Sequence, residues 1–545
     1  MLKSIIIFVI NLFFLSISYS QSNKIYGSFE SNAIYYQENE EEDYENRLAS
    51  NNYLNIKYLF NSNWNVEVQV ESYLPKRLQG FSNSFEKTHL STLSINYSKN
   101  NFNTSIGTIY DQFGSGLILR TWEDRQLGIN NSIWGLSTSF DSKNFNVKLL
   151  GGWQKKGIEI SNGKVVGIDS NIKLLNNDNK YQNLVLGLSY VGRFENPHYI
   201  SYDFNDLTNL FSTRLDYYTN EFYLEFEQVL KSKDGIIQAG LISNEFVKKG
   251  SAHSLNLGFI KTGFGLDMTF RRLENMPIFS DRFEQGEIYN ESNVNYLPGL
   301  TKQHDYQLAN INVYESQANV SFPDPGLMKA GEIGYQFDLY YDLKEGSSLG
   351  GKYGSKLSLN VSSWYNLKGK YNYFPSEYET DFIGFGEKYF SEQSLEIRKK
   401  WSKRFENIFL FINKYYNKRF VEEKSGEINS QILVIDNTLK LKNKKSIRLE
   451  IQHLNTNDDK KNWYGYGIEY NFNYSFSAYH NAMVNYENLD EDKPVFYSVG
   501  ASYNKNASRF SVSYGKERGG LLCYGGICRY IPEFKGFSFT VNTSF

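Results

Sequence analysis

Residues 535–545 read Lys-Gly-Phe-Ser-Phe-Thr-Val-Asn-Thr-Ser-Phe. In an extended chain, successive side chains point to opposite sides. Phe537, Phe539, Val541, Thr543 and Phe545 therefore share one face, and Ser538, Thr540, Asn542 and Ser544 share the other. About ten residues of this kind cross a bilayer when the strand is tilted. A C-terminal stretch with one aromatic and one polar face suits the closing strand of a large transmembrane antiparallel β-barrel, with Phe537, Phe539, Val541 and Phe545 turned to lipid.

The same period of two recurs upstream. Trp64, Val66, Val68 and Val70 alternate with Asn65, Glu67, Gln69 and Glu71; Phe145, Val147 and Leu149 alternate with Asn144, Asn146 and Lys148. Phe222, Leu224 and Phe226, then Leu255, Leu257 and Phe259, then Ile447, Leu449 and Ile451, repeat it. Strict alternation over such windows marks an amphipathic strand. Its polar face often carries full charges, as at Arg448 and Glu450, which suits a wet lumen. Short polar turns at 61–63, 99–101, 141–143 and 504–506 mostly alternate with long connections such as 74–87, 111–131, 192–208 and 516–534. Outer-membrane barrels have this rhythm of short periplasmic turns and longer outer loops, and the pattern predicts about 26 crossings, within a range of 22 to 26.

Composition is consistent with this. The 545 residues include 43 Tyr and 40 Phe but only 9 Pro, at a formal charge of −2, so nothing in the charge suggests nucleic acid. Mean hydropathy is negative, and nothing past the first residues approaches the roughly 20 apolar residues of a helical span. Lys3, the apolar run Ile5–Leu15, and small Ser18 and Ser20 before Gln21 predict a cleaved signal peptide over 1–20. A single barrel over 21–545 then follows, in the outer membrane of a Gram-negative cell. Its expected partners are membrane lipid and, through the closing strand, the barrel-assembly machinery.

One stretch breaks the rhythm. Leu273–Glu332 is far longer than a turn, and counting strands from both ends places it on the periplasmic side. It carries Asp281, Arg282, His304 and Asp305 among aromatic residues such as Phe279, Tyr289, Tyr296, Tyr306 and Tyr314, enough to pack rather than stay unfolded. A barrel of more than twenty strands encloses a wide lumen, and large barrels are commonly plugged. The insertion is therefore expected to fold into or across the periplasmic mouth.

Few residues suggest chemistry. Cys523 and Cys528, spaced with Gly525 and Gly526 between them, predict a disulfide that staples the last long loop. Arg120, Glu123, Asp124 and Arg125 could form a selectivity constriction, though a salt-bridge network on the lumen wall is favoured. His304 and Asp305 could be an acid–base pair, but a structurally satisfied polar pair is favoured. The acidic run of Glu38 and Glu40–Asp43 is read as a solvated loop before a Ca²⁺ site. The six histidines show no metal-ligand spacing, and no cofactor, metal or catalytic residue is assigned.

Four stretches together carry a resemblance: Phe113–Asn130 (FGSGLILRTWEDRQLGIN), Thr301–Val313 (TKQHDYQLANINV), Gly350–Leu357 (GGKYGSKL) and the C-terminal RGGLLCYGGICRYIPEFKGFSFTVNTSF. They resemble an uncharacterised family of outer-membrane barrel proteins from Bacteroidota, which implies the barrel and transfers no functional residue. The expectation is a porin-like barrel, acting as a channel or as a docking barrel for envelope transport or secretion partners. An outer-membrane protease or lipase and a soluble periplasmic β-protein are the alternatives. A TonB-dependent receptor is disfavoured, because strand pattern begins at Ile25 and leaves no room for an N-terminal plug.

Overall fold

Strand Lys24–Asn39 pairs with the next strand, Leu48–Leu59, and also with the last, Phe534–Ser544, closing a single antiparallel sheet of 24 strands into a barrel. Closure leaves no unpaired backbone edge, which hydrocarbon would not tolerate. The computed structural model describes residues 24–39, 47–177, 181–195, 205–238, 241–282, 292–488 and 494–545. The signal-peptide residues, Glu40–Asp43 and Tyr289 lie outside that set.

Each barrel strand pairs with its neighbours in sequence, as hairpins do. The alternation expected from sequence sets the two faces. On Phe145–Lys156, the exposed Phe145, Leu149 and Trp153 point outward, whereas Leu150 and Gln154 are buried inside. Aromatic rows mark both rims of the outer surface. Phe102, Phe140 and Phe145 pack in series beside the short turns, with ring centroids 4.8 and 5.6 Å apart. Tyr497, Tyr514 and Phe537 do so toward the other rim, at 6.4 and 4.6 Å. Such rings prefer the interfacial layer, so the two rows bound the band that faces lipid.

Both described termini lie at one end, the near end, where Gly27 and Phe545 exchange backbone hydrogen bonds. The near end carries short turns and one longer connection between Leu343 and Ser355; the far end carries the long connections. Thirteen barrel strands precede the large insertion. That odd number puts it at the far end, with the long loops, and corrects the periplasmic placement expected from parity. Loop length misleads here because the far-end turn at Gly157 and Ile158 is as tight as any at the near end. The insertion is also narrower than expected: Leu273 and Glu332 are cross-strand partners in the wall, so it runs from 275 to 330.

Candidate functional site

The lumen holds two folded-in segments. The connection between Ile109 and Ile133 forms two small hairpins, Gln112–Phe113 with Leu119–Arg120 and Glu123–Asp124 with Ile129–Asn130. The described residues of the insertion, 275–282 and 292–330, are mostly irregular, with a short 3₁₀ turn at Leu308–Asn310 and a hairpin of Ser321–Asp324 with Leu327–Lys329. Both are seated against the wall by apolar side chains. Phe113, Ile118, Met276, Ile278 and Val294 pack on Val165, Val191, Leu210, Val229 and Ala252 of successive strands. Across the lumen, Tyr306, Leu308 and Ile311 pack on Leu410, Ile412, Ile432, Val434 and Leu454. Gly167 shows how close the approach is: a Cβ there would lie 2.7 Å from the Phe113 ring.

These wall residues occupy inward positions that a water-filled barrel would make polar. Their signal lies in the sequence. Ile408–Ile412 (IFLFI) and Ile432–Ile435 (ILVI) are apolar on both faces, as a strand is when covered on both sides. On Phe222–Gln238 the inward residue changes from Glu225 and Glu227 to Val229 as the strand rises into the filled zone.

Buried charges tie the insertion to the wall. Arg193 donates to Asp234 at 2.7 Å, to Glu195 at 3.0 Å and to the Phe279 carbonyl at 2.9 Å. Arg282 of the insertion donates to the same Asp234 at 2.7 Å and to Thr208 at 2.9 Å. Arg271 donates to Glu332 and to the Pro298 carbonyl, both at 2.6 Å. Glu332, fully buried, also accepts from the Tyr314 hydroxyl and the Gln317 amide at 2.6 Å each. Buried charges of this kind are tolerated when they are paired and hydrogen-bonded. Burial also lowers the Lys329 ammonium to about 8, where it donates to Gln317 and to the Phe420 carbonyl.

The residues singled out from sequence are distributed around this filled zone rather than gathered at one point. Arg125 joins the wall: it donates to Glu30 at 3.0 Å, Gln69 at 2.9 Å and Glu123 at 3.3 Å, and lies over the Tyr53 ring. Arg120 is separate, stacked 3.9 Å from the Tyr296 ring centroid. Asp124 is spent on its own turn, accepting from the Gln126 and Leu127 amides. His304 does not pair with Asp305. It meets the wall carboxylate Glu392 at 2.9 Å, and Glu392 also faces Lys414 at 3.5 Å. Asp305 lines a neighbouring cavity with Arg448 and Glu450. Glu38 pairs with Lys535 at 2.7 Å. Cys523 and Cys528 form the expected disulfide. Phe537, Phe539 and Val541 lie on the last strand, with Phe545 hydrogen-bonded beyond its end.

Two chambers with polar linings open beside the folded-in segments. One, about 560 Å³, is lined by Asp141, Asp169, Asp216, Glu225 and Glu227 against Lys148 and Arg214. The other, about 710 Å³, lies beside Arg120, Glu123 and Arg125. Among the described residues, no group of three His, Cys, Asp or Glu side chains is placed to hold a metal ion.

The chain belongs to a family of unknown function, DUF6029, whose match spans residues 1–545. No curated protein matches it. Several solved barrels are similar in form. The translocation pore of the P pilus usher PapC has a TM-score of 0.41 at 9% identity, over 96% of this chain and 98% of its own. A mutant ferric enterobactin receptor, PfeA, from Pseudomonas aeruginosa has a TM-score of 0.41 at 8% identity, over 96% and 80%. OccK5 (OpdH) from the same organism has a TM-score of 0.36 at 8% identity, over 96% and 99%. Likeness at this level describes a barrel and carries no function.

Proposed function

We propose that this member of DUF6029 is an outer-membrane channel whose far mouth is narrowed by its own folded-in segments, chiefly residues 275–282 and 292–330 of the insertion. The observation that carries this reading is the change of character along the inner wall. The wall carries two apolar patches where Met276, Ile278 and Val294, and Tyr306, Leu308 and Ile311, of the insertion sit, with buried ion pairs beside them, and it is open and charged where the chambers lie. Apolar inner wall facing water would be costly, and the insertion covers it. Small polar solutes are the fitting cargo, because the chamber walls are polar and because a lumen this filled admits little else. Passage of anything larger requires the insertion to move.

Planar-bilayer conductance tests the reading. Replacing 281–319 with a short Gly-Ser link, while leaving every wall strand intact, should raise single-channel conductance severalfold. An unchanged current would reject the plug and favour a barrel that docks envelope transport or secretion partners. Outer-membrane fractionation with heat-modifiable gel migration tests the location independently.

A further inference from the structure

The last far-end connection, between Glu517 and Phe534, folds as a separate hairpin of Gly520–Tyr524 with Ile527–Ile531. Its two-residue turn is Gly525 and Gly526, with φ of 56° and 79°. Positive φ at both positions is what a tight hairpin demands, and Gly meets it without strain. Cys523 and Cys528 face each other across the strands and are bonded. Two strands alone are marginal in water, so the covalent link keeps this hairpin formed.

The hairpin tip lies on the insertion. The Gly299 amide donates to the Gly526 carbonyl at 2.8 Å, and the Tyr296 hydroxyl donates to the Gly525 carbonyl at 2.5 Å. The contact is close enough that a Cβ on Gly526 would sit 2.3 Å from the Gly299 oxygen. The flank of the hairpin rests on a different body: the Arg529 guanidinium lies 3.9 Å from the Phe81 ring centroid, in the connection between Ser72 and Thr88. The hairpin thus spans from one far-end loop to the insertion.

We propose that this hairpin is a strap, closed by Cys523–Cys528, that fastens residues 296–303 of the insertion in the far mouth. The proposal rests on the plug reading for its consequence, but not for its test. The wall holds the inner side of the same stretch, through Trp364 to the Leu300 carbonyl at 2.7 Å and Arg271 to the Pro298 carbonyl. The strap holds the outer side. The insertion is therefore gripped from both sides, and the outer grip depends on one covalent bond.

Amide hydrogen exchange on the full chain in detergent reads this directly. Treating the wild-type protein with a phosphine reductant should speed exchange across 296–303 by roughly an order of magnitude, while a remote wall strand such as Ser446–Asn455 stays unchanged. The Cys523→Ser/Cys528→Ser double variant should already exchange at the faster rate and ignore the reductant. Tyr296→Phe, which needs no redox change, should speed exchange at the same stretch. Unchanged exchange at 296–303 after complete reduction would overturn the strap. In bilayers, reduction should raise wild-type conductance part of the way toward that of the 281–319 replacement. If the replacement raises conductance and reduction does not, the strap fails while the plug stands; if the replacement itself has no effect, the plug fails, and the exchange result still decides the strap.

Discussion

Gly27 and Phe545 close the barrel as a reciprocal pair: the Gly27 amide donates to the Phe545 carbonyl at 2.8 Å, and the Phe545 amide returns the bond at 2.9 Å. The Phe545 ring lies where a side chain on Gly27 would be, with a Cβ falling 2.3 Å from it. Gly27→Val should therefore displace the ring and weaken closure at the near end, and deleting 535–545 should abolish assembly by exposing two strand edges to lipid. Heat-modifiable migration of outer-membrane fractions checks both; a folded, membrane-inserted truncation would contradict the closure.

The outer face sets a second expectation. Leu149→Arg, midway along its strand between the outward Phe145 and Trp153, places a charge in the lipid-facing band and should cost about 2–4 kcal/mol near the midplane, whereas Val147→Arg and Leu257→Arg lie closer to the near rim and should cost less. Asn146 and Asn256 lie on the lumen side, where Asn256 donates to Glu225 at 3.3 Å, and Arg there should cost much less. Denaturant titration of the refolded variants compares them, and equal costs on the two faces would contradict the assignment.

Arg271 and Glu332 are both buried and 2.6 Å apart. Arg271→Met leaves Glu332 as an uncompensated buried charge, a loss of about 3–5 kcal/mol. Adding Glu332→Gln to the same chain should recover much of it, because the remaining partners, Tyr314, Ser316 and Gln317, all donate and an amide oxygen can accept from them. A double-mutant cycle measures the coupling.

Lys329 gives a pH dependence with a definite sign. Burial lowers its folded value from 10.5 to about 8, so between those limits the unfolded chain binds more protons than the folded one. Stability then rises with pH across that window and levels off above it. The melting temperature in detergent should increase from pH 8 to pH 10, and Lys329→Met should remove the contribution of this group to the slope.

Among the described residues, the chamber lined by Asp141, Asp169, Asp216, Glu225 and Glu227 has only Lys148 and Arg214 to offset it, and both are engaged, with Asp111 and Asp169 at 2.6 Å. Carboxylate-rich pores favour cations. Reversal potentials under a KCl gradient should show cation preference, reduced in Asp216→Asn/Glu225→Gln.

The strand pattern was legible along the chain because it is local. Phe145, Val147 and Leu149 declare their face by alternation, and a one-residue shift would turn every one of them toward water. The cysteine pair was legible because Cys523 and Cys528 are the only two in the chain and close neighbours in sequence. The end at which the insertion sits was not, since it depends on the parity of all preceding crossings and a single miscounted hairpin reverses it. Nor were the partners of His304, Arg125 and Arg282. His304 has Asp305 beside it in sequence yet meets Glu392 of the wall. Sequence fixes which side chains face inward; which of them meet depends on barrel closure, which brings distant strands around one lumen and leaves the folded-in segments to fill the space between them.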